Sequence, residues 1–202
     1  MRDMLPNTID ATDFTRCFLP QSIAFLVLYA FGALFGSGAF LRHFASFAAS
    51  LSWEAVRPDS AMLVQYCLQL MLFELLWASV VLFSGRYAVT LPLWSIAILT
   101  AGAVDGMQIG FCRLSNLLMQ QPTLFIASIL PLVLTVPFRM AYAANPIYWH
   151  MALHGENPGK HGKPAALEEY VFAGSVFLIL LVMAAMRCLL PNFCLNEVFS
   201  LN

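Results

Sequence analysis

Glu74, in the run FELLW, and Asp105, in TAGAVDGMQIG, are the residues best placed to do chemistry, because each lies inside a long apolar run. Gln108 follows Asp105 by about a turn. A charge at the centre of a bilayer costs about 2.5–3.5 kcal/mol on insertion scales, so such side chains must face the protein interior, protonated or paired. Two kinds of chemistry suit them: a proton or ion pathway, or interhelical hydrogen bonding that fixes how the helices pack. With two carboxylates and no intramembrane His or Lys relay, structural bonding is the weightier reading. His150, His154 and His161 with Glu156 suggest a metal set, but Gly155, Pro158, Gly159, Gly162 and Pro164 make the segment an irregular loop. Glu168-Glu169 looks like the paired glutamates of intramembrane CAAX-type proteases, yet Phe172 and Ala173 stand where that pattern has an arginine. The pair reads instead as a cap at the N-terminus of the last span, where the helix dipole favours carboxylates. No H-E-x-x-H, G-x-S-x-G or phosphate-binding loop motif occurs. The sequence therefore assigns no catalytic residue, no metal and no cofactor, and the chain is expected not to be an enzyme.

These carboxylates must be positioned by membrane helices. Of 202 residues, 60% are apolar and 10% charged, and the mean hydropathy is +0.77; a soluble domain has about 45–50% apolar and about 25% charged residues. The net charge is −1 without a basic block, which excludes nucleic acid as a partner. Five cysteines without C-x-x-C spacing argue against a disulfide framework or a zinc ribbon, and read as small packing residues. A crossing helix needs about 20 mostly apolar residues. Five windows qualify, at about 23–41, 61–83, 91–112, 123–144 and 169–190, giving an all-α bundle in a single integral membrane domain over 1–202. The connections read as loops at 42–60 and 145–168 and short turns at 84–90 and 113–122. The polar first 22 residues do not suit a signal peptide, so the first span is expected to be kept. Arg2, Arg16, Arg86, Lys160, Lys163 and Arg139 on one side outnumber Arg42, Arg57, Arg113 and Arg187 on the other. That bias predicts a multi-pass cell-membrane protein with a cytoplasmic N-terminus.

How the spans pack is read from small residues and prolines. Gly32 and Gly36 share one face of span one, and Gly102, Gly106 and Gly110 share one face of span three. Such notches let helix backbones approach closely, either within the bundle or with a docked partner. Pro131 and Pro137 predict a kink or break in span four. Arg139 is expected to snorkel to the interface, because on a 1.5 Å rise per residue its backbone lies about 10 Å from the level of Asp105 in an antiparallel neighbour. A direct Asp105–Arg139 pair is therefore not expected.

LPLWSIAILTAGAVDGMQIGF (91–111) resembles the third-span region of the stage II sporulation protein M family, with Leu91, Pro92, Gly102, Gly106, Gly110 and Phe111 at the matching places. FGALFG (31–36) looks like that family's glycine-bearing first span, and Ser128 to Pro131 with Pro137 like its fourth. The resemblance covers about half the chain. Leu132 and Val133 replace the polar residue expected after the proline, and Asp105 stands where an apolar residue is expected. The resemblance implies a bacterial, non-enzymatic membrane scaffold that anchors a peptidoglycan-degrading complex at the sporulation septum during engulfment. The implied partners are peptidoglycan-remodelling proteins resembling stage II sporulation proteins D and P. Self-association stays open, and the alternative is a small transporter or channel subunit using Glu74 and Asp105.

Overall fold

The computed structural model describes residues 11–50, 60–85, 88–114, 121–154 and 166–200. They form five helices and a short 3₁₀ turn: α1 (Ala11–Ser50), α2 (Ser60–Ser84), the turn Ala88–Thr90, α3 (Leu91–Leu114), α4 (Pro122–His154) and α5 (Ala166–Ser200). All five helices are long and apolar enough to cross a membrane, over Phe18–Ala39, Val64–Ser84, Leu91–Gly110, Pro122–Ile147 and Tyr170–Pro191. A helix suits such sequences because it satisfies every backbone group within its own segment, where lipid offers no hydrogen bonds. Leu34, Phe35, Leu76, Phe83 and Leu178 point outward, as side chains in contact with lipid tails would.

Three helices outrun the apolar windows. α1 continues to Ser50, into the stretch read as the 42–60 loop, and α5 is 35 residues long. α4 continues past residue 144, through Pro146 to His154, so His150 and His154 belong to a helix rather than to an irregular loop. Hydropathy marks where lipid begins and ends, and a helix does not have to stop there. Glu156, Lys160, His161 and Lys163 lie outside the described residues, as do Arg2, Arg57 and Arg86. Among the described residues no group of three metal-capable side chains occurs.

α1 packs most extensively on α3, and α4 on α5, while α2 touches α3, α4 and α5. The α1–α3 seam is built from glycine. A Cβ added to Gly36 would lie 2.7 Å from Ala103 Cα, and one added to Gly106 would lie 2.7 Å from Ala33 Cα. Gly32 is pressed in the same way against the carbonyl of Leu99, and Gly102 against that of Tyr29. Gly110, also buried, continues the face. These notches are thus filled from within the chain, each helix seating its glycines on the backbone of the other, which leaves the four facing glycines no room for a docked partner. Gly38 and Gly174, by contrast, have nothing within 4 Å of where a Cβ would sit.

α4 is helical throughout, although Pro131, Pro137 and Pro146 all lie inside it. The helix is continuous past all three. Each proline removes a backbone donor, and neighbouring helices can re-satisfy the carbonyls so weakened. Gln108 Nε2 donates to the carbonyl of Ser128 at 3.1 Å, and Trp94 Nε1 to that of Ala143 at 3.0 Å. Ser128 and Ala143 are each three residues before a proline, next to the carbonyl whose i+4 donor that proline removes, so α3 bonds the α4 backbone beside two of its prolines. Within α4, Thr135 Oγ1 donates to the carbonyl of Pro131 at 2.6 Å. The two α3 donors also fix the pairing as antiparallel: the late residue Gln108 meets early α4, and the early residue Trp94 meets late α4.

The core between the helices is aromatic at its centre. Phe25, Tyr29, Trp77, Trp94 and Tyr142 are buried with Val81, Ile98 and Leu180. Trp77 Nε1 donates to the carbonyl of Ala97 at 3.0 Å, tying α2 to α3. Both core tryptophans thus meet the rule that a buried indole N–H finds an acceptor.

Candidate functional site

Each of the apolar spans of α2 to α5 carries one charged residue: Glu74, Asp105, Arg139 and Arg187. The fold brings all four together. Arg139 lies at the centre, fully buried. Its Nη1 donates to Asp105 Oδ2 at 2.5 Å, its Nε to Glu74 Oε2 at 3.3 Å, and its Nη2 to Glu74 Oε1. The two contacts to Glu74 use the planar fork of the guanidinium, a geometry that lysine lacks. The same cation lies over the Trp77 ring, 5.6 Å from its centre, which adds a cation–π attraction in a site from which water is excluded.

Arg187 approaches from α5. Its Nη2 donates to Asp105 Oδ1 at 2.7 Å and to Gln108 Oε1 at 2.8 Å, and its Nη1 lies 3.9 Å from Glu74 Oε1. Tyr29 of α1 donates its hydroxyl to Asp105 Oδ2. Asp105 therefore accepts from Tyr29, Arg139 and Arg187, while Gln108 bridges α5 to the α4 backbone. All five helices contribute a side chain to one connected cluster. Glu74 and Arg139, like Asp105 and Arg187, have at most 1% of their side-chain surface accessible.

Two negative and two positive charges sum to zero, which makes such a cluster tolerable in lipid. An isolated ion at this depth would carry its whole desolvation penalty, whereas mutual pairing returns most of it as attraction at low dielectric. The arrangement favours a fixed geometry, because removing any one member leaves an uncompensated buried charge.

The expectations for Arg139 and Arg187 are corrected here. Arg139 does not snorkel to the interface; it pairs with Asp105 and Glu74. The backbone offset of about 10 Å is real for antiparallel helices, but side chains lean toward the N-terminus of their own helix. In antiparallel neighbours, Asp105 and Arg139 consequently lean toward each other, and the long arginine closes the gap. α4 also runs to His154, so Arg139 lies near its midpoint rather than near an inner end. Arg187, read as an outer-end charge, is one of the buried members. Tyr29 and Trp77 were not singled out from the sequence, since an aromatic residue in an apolar span is ordinary. The signal that could have found the two arginines was the tally itself, one charge in each of four spans, balanced in sign.

Among the cluster members Arg187 retains unused capacity: its Nε and Nη1 have no hydrogen-bond partner. A shallow apolar groove lies on the outside of α1, lined by Leu19, Pro20, Ile23, Ala24, Val27 and Leu28, and no member of the cluster borders it.

No family model, no curated protein and no solved structure matches the chain. The multi-pass helical membrane architecture rests on the five spanning helices themselves.

Proposed function

We propose that this chain is a non-enzymatic membrane scaffold that anchors a peptidoglycan-degrading complex at the sporulation septum during engulfment. The reading of partners and place rests on the resemblance of 91–111, 31–36 and 128–137 to the stage II sporulation protein M family. The observation that carries a scaffold over a conduit is that the intramembrane charges satisfy one another. Glu74 and Asp105 are paired with arginines contributed by other helices, which supports a body built to hold one shape. Tethering raises the effective concentration of partner catalytic domains at one membrane site without any chemistry by the anchor.

The partners are peptidoglycan-remodelling proteins resembling stage II sporulation proteins D and P, with catalytic domains outside the membrane. With Arg139 and Arg187 in the core, the charge bias is Arg2, Arg16, Arg86, Lys160 and Lys163 against Arg42, Arg57 and Arg113, which supports a cytoplasmic N-terminus. The test is co-purification from sporulating cells: the tagged chain should bring down wall-lytic proteins early in the mother cell and localise to the septum. Recovery without them, or uniform localisation through growth, would overturn the reading.

One observation favours a second reading, a small transporter or channel subunit. Arg187 Nη1 lies 3.9 Å from Glu74 Oε1 while its Nη2 bonds Asp105, so a small movement of α5 would re-pair the charges. Solute or proton flux through proteoliposomes, lost in Glu74→Gln and Asp105→Asn, would support this reading against the scaffold.

A further inference from the structure

Beside the charge cluster, α2 and α5 meet in a small satellite core made of Leu70, Ala184 and Cys188, with Cys67 and Met71 packed against it. The thiol-bearing Cys67 of α2 thereby packs into the same small core as Cys188 of α5. They come from opposite ends of their helices in sequence but from one level in space: Cys67 is three residues inside the start of the Val64–Ser84 span, and Cys188 three residues inside the end of Tyr170–Pro191. On a rise of 1.5 Å per residue both lie about 5 Å below the same membrane face. Cys67 is half-buried, whereas Cys188 is 1% exposed. An oxidant at that face therefore meets Cys67 first, with Cys188 waiting behind it.

We propose that Cys67 and Cys188 are a modification site: a dithiol that an external disulfide oxidant converts to an intramolecular Cys67–Cys188 disulfide, locking α2 to α5. In the first step Cys67 Sγ, having given up its proton, attacks one sulfur of the oxidant's disulfide, breaking that S–S bond and expelling a thiolate. In the second, Cys188 passes its proton to the departing sulfur as its own Sγ attacks Cys67 Sγ in the mixed disulfide, breaking that S–S bond and releasing the second thiol. Two protons and two electrons pass to the oxidant, which is reduced to two thiols. The bond would close a loop of more than a hundred residues, the case in which a crosslink most restricts the unfolded chain. It would also hold Arg187, the residue before Cys188, against Glu74 and Asp105. The consequence is a bundle whose α2–α5 contact depends on the redox state at one membrane face.

The experiment uses the full chain in detergent micelles, treated with oxidised glutathione and then alkylated after denaturation. Peptide mapping should find Cys67 joined to Cys188, with two fewer alkylatable thiols and a thermal midpoint raised by about 5 °C, reversed by dithiothreitol. Cys67→Ser and Cys188→Ser should each abolish both changes while leaving the untreated midpoint within about 2 °C of the parent. Alkylation of both cysteines after oxidation, a glutathione adduct persisting on Cys67, or a crosslink between two chains would each overturn the proposal. Should either serine variant fold poorly, Cys67→Ala and Cys188→Ala make the same comparison, and the parent's disulfide map decides the matter alone.

Discussion

Two regions hold this bundle together by opposite means. The α1–α3 seam has almost no side chain: glycines at 32, 36, 102 and 106 place backbone on backbone. The α2–α5 interior is all side chain: two arginines and two carboxylates, far from their own backbones, converge on a point. In lipid there is no hydrophobic exclusion to press helices together, so a pair must rely on close van der Waals contact or on polar bonding. The chain uses one solution on each side. Tyr29 joins them, lending its carbonyl to the Gly102 notch and its hydroxyl to Asp105. The comparison teaches that the seam tolerates no added volume, whereas the cluster tolerates no removed charge.

The sharpest break should come at Arg139. Arg139→Met leaves Glu74 and Asp105 facing each other without their shared cation, and is expected to destabilise the bundle by about 3–5 kcal/mol. It should be read as loss of folded protein or a collapsed thermal midpoint in detergent. Arg139→Lys should recover only part, since an ammonium cannot reproduce the fork to Glu74. The double variant Glu74→Gln, Arg139→Gln, which keeps Asp105 paired with Arg187 and the net charge at zero, should be more stable than Arg139→Met; the reverse ranking would refute the charge-balance account.

Next comes the seam. Gly36→Leu and Gly106→Leu insert a side chain where backbone already stands, and are expected to cost about 1–3 kcal/mol or more. Gly174→Leu, with open space around it, should stay within about 0.5 kcal/mol. Equal effects at Gly106 and Gly174 would mean that the seam contributes no specific contact.

Gln108→Leu removes both the acceptor for Arg187 and the donor to Ser128, for an expected loss of about 1–3 kcal/mol. Arg187 should then become more sensitive to substitution, measurable as coupling in a double-mutant cycle. A smaller loss, about 1 kcal/mol, is expected from Trp94→Phe, which keeps an aromatic ring of similar placement but deletes the bond to the Ala143 carbonyl. Amide exchange in α4 around Ile147 should quicken if that donor steadies the turn before Pro146.

Much of the architecture was legible in the sequence because lipid is a simple solvent. Apolar length counted the helices, and glycine spacing marked the faces of α1 and α3 that approach closely. What the sequence did not disclose was reach. Judged by its Cα, on a span that ends at 144, Arg139 lies too far from Asp105 to pair with it. Side-chain lean in antiparallel helices, and a helix that continues to His154, brought the pair together. Likewise the side chains that bond the α4 backbone beside its prolines, Trp94 and Gln108, belong to another helix.

The sequence by itself determined that five segments are long and apolar enough to cross a membrane, that two of them carry notched faces, and that Glu74 and Asp105 lie inside apolar runs. Those are properties of composition and period, set residue by residue. Only the tertiary structure decided which charge meets which, that glycine meets backbone between α1 and α3, and that one tyrosine serves both regions. Pairing depends on helix order, antiparallel level and side-chain direction together, and these become defined only when all five helices stand side by side.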